Sequence, residues 1–265
     1  MQSVGRIFAA LRIRSGRLAP AGAILAAPRS YGRHRAAVQM LAAAFAVVAV
    51  GMSGVLPLQP VSPAAGAESP VHIVALGDSL TAGFGLPADA AFPVKLAQAL
   101  NANGLAVEIS NAGVSGDTSS GGLERLDWSV PPGTDAVILE LGANDMLRGL
   151  DPRVTRAALQ DILRRLEERH IDVLLCGMLA APNLGADYAG TFNRIFPELA
   201  AAGHLVFYPF FLAGVLTDRQ PAPNDQQLVQ HDGLHPTSAG VDVIVAGILP
   251  KAEALVARVR TRRGG

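Results

Sequence analysis

The sequence contains a single cysteine, which excludes an intramolecular disulfide. Cys176 ends the apolar run Val173-Leu174-Leu175, so we expect it to be a small buried residue of a strand. Two hydrolase signatures are missing as well. The chain has neither the Gly-x-Ser-x-Gly of α/β-hydrolases nor the zinc-binding His-Glu-x-x-His. These absences disfavour the α/β-hydrolase fold and the commonest zinc hydrolase site.

Acidic residues are absent from the first part of the chain. The first one is Glu68, whereas seven arginines lie between Arg6 and Arg35. From Glu68 onward, 15 basic residues stand against all 22 acidic residues, so the zero net charge of the chain hides a basic front and a mildly acidic remainder. The acidic remainder has no basic patch, and we therefore expect no nucleic-acid partner.

The basic front is followed by 19 mostly apolar residues from Met40 to Leu58 and then by Ala65-Gly66-Ala67. This order is typical of a secretory signal with a long basic region, although the length leaves a downstream translation start open. We predict a leader over residues 1–67, export to the periplasm or beyond, and no stable membrane insertion once the leader is removed. The alternative is an uncleaved anchor, because the apolar stretch approaches the length of about 20 residues that spans a bilayer.

Residues 68–265 are predicted to form one domain with enough chain for a sizeable core. Apolar runs of strand length alternate along it with stretches of helix length. This alternation favours a three-layer α/β domain, in which helices cover both faces of a parallel sheet. We predict strands over residues 71–76, 105–110, 135–141, 171–179 and 205–208, and helices over residues 92–102, 153–170, 188–202 and 239–260, with a frayed tail after residue 260.

Polar, glycine-containing segments follow the first three predicted strands, and a fourth such segment precedes the last helix. Because the carboxyl ends of parallel strands share one edge of a sheet, where open α/β sheets bind ligands, we expect these segments to gather there. They are Gly77-Asp78-Ser79-Leu80, Ser115-Gly116-Asp117-Thr118, Gly142-Ala143-Asn144-Asp145 and Asp232-Gly233-Leu234-His235.

Together the four segments contain the groups that acyl transfer requires. Ser79 could act as the nucleophile, His235 as the general base and Asp232 as the acid that orients it. Gly116 could stabilise an oxyanion through its N–H, and Asn144 through its amide. Each also has a structural alternative: Ser79 or Asp232 could cap a helix, Gly116 or Asn144 could serve a turn, and His235 could begin a helix.

In order and spacing, the four segments resemble the four sequence blocks of the GDSL, or SGNH, hydrolase family. The resemblance covers essentially all of residues 71–250. Within the family it is greatest to the periplasmic multifunctional thioesterase I, protease I and lysophospholipase L1 type, often labelled arylesterase, over residues 111–119, 140–149 and 208–211. It implies a flavodoxin-like α/β/α fold with a five-stranded parallel sheet, ester, thioester or lysophospholipid substrates, and no metal or cofactor. We expect a monomer.

The resemblance also assigns roles to individual residues. It implies a catalytic triad of Ser79, Asp232 and His235, and an oxyanion hole formed by Ser79, Gly116 and Asn144. Asp78 and Asp145 fill positions that we interpret as structural. The chain departs from the closer relatives at Ala143, where they often have glycine, and over residues 179–188, which help to shape their acyl site. We expect Met146-Leu147 and Phe210-Phe211-Leu212 to line an acyl groove.

Three other functions remain open. A carbohydrate acetylesterase can share this fold, and fold alone does not decide the substrate. A metal-dependent hydrolase would use oxygen and imidazole ligands from the same segments. A non-catalytic binding protein would be expected to lack at least one of the four blocks, and none is missing. The ligands of the metal alternative would be Asp78, Asn144, His231, Asp232 and His235.

Overall fold

The computed structural model describes residues 69–216 and 227–264, so the predicted leader lies outside the described residues. At the centre of the described part is a sheet of five parallel strands, in the order β2-β1-β3-β4-β5. The chain adds strands on one side of β1 and then on the other. The strands are β1 (Val71–Gly77), β2 (Val107–Gly113), β3 (Ala136–Glu140), β4 (Asp172–Cys176) and β5 (Val206–Tyr208).

Helices cover both faces of the sheet. They are α1 (Ser79–Ala82), α2 (Phe92–Ala102), α3 (Ser119–Glu124), α4 (Leu126–Ser129), α5 (Ala143–Leu147), α6 (Pro152–Glu168), α7 (Ala186–Phe192), α8 (Ile195–Ala202) and α9 (Ser238–Gly264). On one face α2 packs along α9, which also contacts β4 and β5. On the other face α6 contacts α3, α7 and α8, and both α6 and α8 contact β4. The predicted three-layer α/β/α fold is therefore confirmed.

Strand β2 is longer at its carboxyl end than the sequence predicted. The predicted strand ended at residue 110, but residues Asn111 to Gly113 continue the pairing with β1 up to the partners Gly77 and Gly113. The Asn111 Oδ1 accepts the Gly113 N–H at 2.9 Å. Pairing with a central strand therefore outweighs the turn-favouring composition of this segment. The extension brings the next loop beside the end of β1.

Two helix predictions need correction. The helix predicted over residues 188–202 is two helices, since the regular hydrogen bonding is interrupted at Asn193 and Arg194 although both keep helix-like dihedral angles. The predicted frayed tail is also wrong, because α9 continues to Gly264. Arg262 bonds to Asp172 at 2.9 Å, and Arg263 bonds to Asp135 at 2.5 Å, which ties this end of the helix to the sheet.

The prediction for the single cysteine is confirmed. Cys176 lies at the end of β4 with 1% of its surface exposed, within the hydrophobic core. Burial raises the pKa of its thiol, so the reactive thiolate is disfavoured. None of the helices in the described ranges is long and apolar enough to cross a membrane.

Candidate active site

The turn after β1 presents Ser79 at the first position of α1. Asp78 is the residue that caps this helix, because its Oδ1 accepts the Leu80 N–H at 2.9 Å. The turn is tight, and a Cβ at Gly77 would lie 2.0 Å from the Thr81 Oγ1. Ser79 is therefore not the cap of this helix. Its Oγ instead lies 2.9 Å from the His235 Nε2, within hydrogen-bond distance.

A loop before α9 holds His235 in place. Its Nδ1 lies 2.5 Å from the Asp232 Oδ2, and the Asp232 Oδ1 accepts the N–H groups of Leu234 and His235 at 2.9 and 3.0 Å. Gln230 fixes the loop by donating from its Nε2 to the carbonyls of Phe84 and Pro236. The Oγ–imidazole–carboxylate chain is the geometry that lets a histidine accept a hydroxyl proton while the acid holds its tautomer.

The ionisation of Asp232 suits this arrangement. Partial burial works against its charged form. The hydrogen bonds from the Leu234 N–H and from His235 outweigh that effect, and the pKa of Asp232 lies below its ordinary value. The carboxylate is therefore charged at neutral pH and aligns the imidazole. The ring of Phe84 packs against the imidazole with 4.6 Å between the ring centroids, which gives His235 an apolar neighbour on the cavity side.

The loop after β2 places Gly116 beside the nucleophile. The Asp117 N–H donates to the Val114 carbonyl at 3.1 Å, which closes a four-residue turn with Gly116 at its third position. Gly116 has a φ of +83°, a conformation that favours glycine. The turn alternative for this residue is therefore correct, but it does not exclude a functional one, since Gly116 also lines the cavity that contains Ser79.

The loop after β3 places Asn144 in the first turn of α5, on the other side of Ser79. Its Nδ2 donates to the Asp78 Oδ2 at 3.0 Å. An amide nitrogen carries two hydrogens, so one is held by Asp78 and the second remains available to a ligand. We interpreted Asp78 as structural, and the structure brings it into direct contact with a candidate site residue.

Asp78 is itself packed against a second buried acid, Glu140, at the end of β3. The Glu140 Oε2 accepts the Thr81 hydroxyl at 2.8 Å, whereas its Oε1 is buried without a hydrogen-bond partner in the described part of the chain. Burial raises the pKa of Asp78 to about 6. Burial, and then the charge of Asp78, raise the pKa of Glu140 well above its ordinary value. Both carboxyls therefore keep a proton to a higher pH than an exposed acid would.

Asp145 has the supporting position that we expected. It is fully buried, and it accepts the N–H and the hydroxyl of Ser119 at 2.8 and 2.5 Å. The Thr155 hydroxyl donates to the same carboxylate at 3.0 Å. Asp145 thus joins the beginnings of α3, α5 and α6, and so fixes the loop that carries Asn144.

One cavity of about 300 Å³ contains the candidate groups. Ser79, Gly116, Asn144 and His235 all line it, and most of the remaining lining is apolar. The expected groove segments are mostly confirmed, with one correction: Phe211 is fully buried in the core and packs edge-on against Phe92. The apolar lining includes Phe84, Met146, Leu147, Phe210, Leu212 and Leu234.

The ligand set of the metal alternative does not come together. Within residues 69–216 and 227–264, no group of three or more His, Cys, Asp and Glu side chains is placed to hold a metal ion. Asp232 and His235 bond to each other, and Asp78 faces Asn144. His231 is exposed.

Sequence reasoning missed several residues around the site. Glu140 carried a visible signal, because it is an acid that interrupts the apolar run from Ala136 to Leu141 of a predicted strand. Phe84 and Gln230 carried none, since their contacts with the His235 loop depend on how distant segments fold together. The same holds for Arg148, whose Nη2 donates to the Gly116 carbonyl at 2.6 Å.

Comparison with known proteins identifies a family and several relatives. Residues 75–243 match the GDSL-like Lipase/Acylhydrolase family. An arylesterase of Vibrio mimicus is 35% identical over 173 residues, which cover 65% of this chain and 83% of the relative. Esterase TesA of Pseudomonas aeruginosa is 32% identical over 206 residues, which cover 77% of this chain and 98% of the relative.

Solved structures of two esterases are similar to this chain over nearly their whole length. The crystal structure of TesA matches 69% of this chain and 99% of its own, with a TM-score of 0.63 and 32% identity. The crystal structure of AlinE4, an SGNH-hydrolase family esterase, matches 70% of this chain and 96% of its own, with a TM-score of 0.58 and 41% identity. The chain therefore belongs to the GDSL-like lipase/acylhydrolase family, and it is a carboxylic ester hydrolase.

Proposed function

We propose that the protein is a serine esterase that hydrolyses carboxylic esters and thioesters through Ser79, His235 and Asp232. The observation that carries the proposal is the continuous chain from the Ser79 Oγ to the His235 Nε2 at 2.9 Å and from the Nδ1 to Asp232 at 2.5 Å. This chain opens into a cavity with an apolar lining, which suits an acyl group.

In the first half of the reaction, the Ser79 Oγ forms a bond to the ester carbonyl carbon while His235 takes its proton. Asp232 stabilises the imidazolium and keeps the Nε2 directed at the serine. The tetrahedral intermediate then collapses, the bond to the leaving oxygen or sulfur breaks, and His235 returns the proton to that atom. In the second half, His235 takes a proton from a water molecule as the water oxygen bonds to the acyl carbon. The bond between that carbon and the Ser79 Oγ then breaks, His235 returns the proton to the Oγ, and the acid leaves.

The negative oxygen of the intermediate needs donors that are in place before it forms. The backbone N–H groups of Ser79 and Gly116 and the free amide hydrogen of Asn144 are the candidates. Gly116 and Asn144 reach the cavity from opposite loops and are held by other contacts. Losing one such donor costs about 10²–10³ in kcat in other enzymes.

The cavity supports short- to medium-chain acyl groups as substrates. Its apolar side chains favour binding by about 0.8 kcal/mol for each buried CH₂, so kcat/KM should rise with chain length until the cavity is full. The names of two relatives, the arylesterase of Vibrio mimicus and the thioesterase 1/protease 1/lysophospholipase L1 of Escherichia coli, point to aryl esters, thioesters and lysophospholipids. We include all three among the proposed substrates.

A substrate panel with matched variants tests the proposal. The panel holds p-nitrophenyl esters from acetate to palmitate, an acyl-CoA, a lysophospholipid and acetylated xylan. Ser79→Ala should abolish hydrolysis of every substrate, whereas Ser120→Ala, a serine of α3 outside the cavity, should leave it unchanged. EDTA should have no effect.

Two results would contradict the proposal. If chelation abolishes activity while Ser79→Ala keeps much of it, the metal-dependent alternative replaces the serine mechanism. If the rate is greatest with acetate and acetylated xylan is the best substrate, the enzyme is a carbohydrate acetylesterase.

The site of action is a separate proposal, which rests on the leader predicted over residues 1–67. The mature enzyme should begin near Glu68, should be found in the periplasm or outside the cell, and should be a monomer. N-terminal sequencing of the protein from the cell envelope, followed by size-exclusion chromatography, tests this. Recovery of an intact leader in the membrane fraction would favour the uncleaved anchor.

A further inference from the structure

Arg148 connects the two loops that carry the oxyanion candidates. It follows α5, where its backbone N–H donates to the Asn144 carbonyl at 3.1 Å. Its side chain crosses to the neighbouring loop, where the Nη2 donates to the Gly116 carbonyl at 2.6 Å. Since a hydrogen bond from a charged group is stronger than a neutral one, this is a firm link between the two segments.

Arg148 provides the second of two hydrogen bonds that hold one peptide group of the turn. The peptide between Gly116 and Asp117 is held at its nitrogen by the Val114 carbonyl and at its oxygen by Arg148. The preceding peptide, between Ser115 and Gly116, carries the proposed oxyanion donor. Arg148 and the turn hydrogen bond thus fix the Gly116–Asp117 peptide plane, which directly follows the peptide that carries the donor.

The direction of the donor depends on that anchoring. A positive φ at the third position of a turn is typical of type II, whereas type I has a φ of about −90° there. Changing from one type to the other rotates the middle peptide and turns the Gly116 N–H to the opposite face. With a φ of +83°, Gly116 is in the type II state.

We infer that Arg148 is a positioning residue, which holds the Gly116 N–H in the direction that an oxyanion requires. The inference rests on the proposed serine mechanism. Arg148 is exposed, and it is not among the described residues that line the cavity, so it acts through Gly116. Its guanidinium covers the turn closely, and a Cβ at Gly116 would lie 3.6 Å from the Nη2.

Steady-state kinetics of Arg148 variants on a neutral p-nitrophenyl ester provide the first test. Arg148→Ala should lower kcat by about tenfold, less than the 10²–10³ that follows outright removal of a donor. KM should change by less than about twofold, because the contact matures in the transition state. Arg148→Lys keeps a cationic donor and should recover part of the loss. Arg153→Ala, which removes an exposed arginine paired with Asp151, is the matched control and should be unchanged.

A double mutant identifies the group through which Arg148 acts. Gly116→Ala puts a side chain at a positive φ, which favours rotation of the middle peptide and should lower kcat by itself. If Arg148 works by holding this peptide, Arg148→Ala should add less than about twofold in the Gly116→Ala background, since residues that act as a unit are not additive. If the kcat losses of Arg148→Ala and Gly116→Ala multiply in the double mutant, the inference is overturned.

The remaining outcomes separate this inference from the proposed mechanism. An active Ser79→Ala enzyme would refute the mechanism. An inactive Ser79→Ala enzyme together with wild-type kcat in both Arg148 variants would refute only the role of Arg148. A rise in KM alone, larger for acyl-CoA than for neutral esters, would mean that Arg148 binds an anionic leaving group directly, and it would also overturn the positioning role.

Discussion

Two aspartates beside the candidate catalytic groups have opposite environments. Asp232 lies in an open loop with 37% of its side chain exposed, whereas Asp78 is fully buried behind α1. Each accepts a backbone N–H and contacts a side chain of the site, His235 or Asn144. Yet the pKa of Asp232 is lowered and that of Asp78 is raised to about 6.

The difference shows that the depth of burial, and not the number of hydrogen bonds, decides the direction of the two pKa shifts. At Asp232, burial raises the pKa, but the hydrogen bonds from the Leu234 N–H and from His235 together outweigh it. At Asp78, burial outweighs the hydrogen bonds from the Leu80 N–H and the Asn144 amide, which lower the pKa. An exposed carboxylate suits a group that must stabilise a transient imidazolium, and a buried one suits a group that holds an amide still.

Among changes to these buried and exposed acids, Asp232→Asn should have the largest effect. The substitution keeps the shape of the loop but replaces the acceptor of the His235 Nδ1 proton, so the ring is no longer held in the productive tautomer. Loss of kcat on the order of 10⁴ accompanies the same change in another serine triad. A decrease of this order, with thermal stability near that of the wild type, is the expected result of steady-state assays and melting curves. A loss of less than about tenfold would mean that Asp232 does not orient the base.

The same substitution at Asp78 should have a smaller effect that depends on Asn144. The Leu80 N–H and the Asn144 amide donate to different oxygens of Asp78, and an asparagine there replaces one of these oxygens by an NH₂ donor, so one of the two hydrogen bonds is lost. Without its hydrogen bond to Asp78, the Asn144 amide is no longer held in place, and kcat should fall by up to about 10²–10³-fold, the loss expected for Asn144→Ala. Asp78→Asn should therefore add little to the loss when it is combined with Asn144→Ala, and kcat of the three variants measures this. Full additivity would show that Asp78 acts elsewhere.

The smallest effect on catalysis, and a visible effect on stability, are expected from Glu140→Gln. Because the folded-state pKa of Glu140 is raised, the wild type is most stable below the ordinary pKa of about 4.3 and loses stability as the pH rises through the raised value. Glutamine cannot ionise and escapes this loss. The melting temperature of the variant relative to the wild type should therefore increase from pH 4 to pH 8.

An exposed acid provides the control for this experiment. Glu124 lies on the surface at the end of α3, and Glu124→Gln should give the same melting temperature as the wild type across the range. Each kcal/mol corresponds to about 2–4 °C for a domain of this size, so the trend is measurable. A constant difference between Glu140→Gln and the wild type at all pH values would contradict the raised pKa.

The sequence was sufficient for the parts of the molecule that local pattern determines. Alternating apolar and amphipathic segments predicted the five strands, and helix α2 has the predicted bounds, Phe92–Ala102. The candidate site residues were found because their types match one chemistry and each follows a strand or precedes the last helix. The structure brings Ser79, Gly116, Asn144 and His235 into one cavity.

What the sequence did not predict depends on contacts between distant segments. The extension of β2 to Gly113 requires a partner strand, and the burial of Phe211 requires Phe92 opposite it. The contact between Asp78 and Asn144 spans 66 residues of chain, and the one between Arg148 and Gly116 spans 32. Residue types and their spacing give no indication of either contact, because each is fixed by the packing of two loops.

The proposed mechanism depends on activation of the Ser79 nucleophile by His235. Reaction with a fluorophosphonate probe, followed by peptide mapping with mass spectrometry, tests this step. We expect one phosphonylated residue per chain, at Ser79, with labelling lost in Ser79→Ala and strongly slowed in His235→Ala. Labelling at another residue, or equal rates in the wild type and His235→Ala, would contradict it.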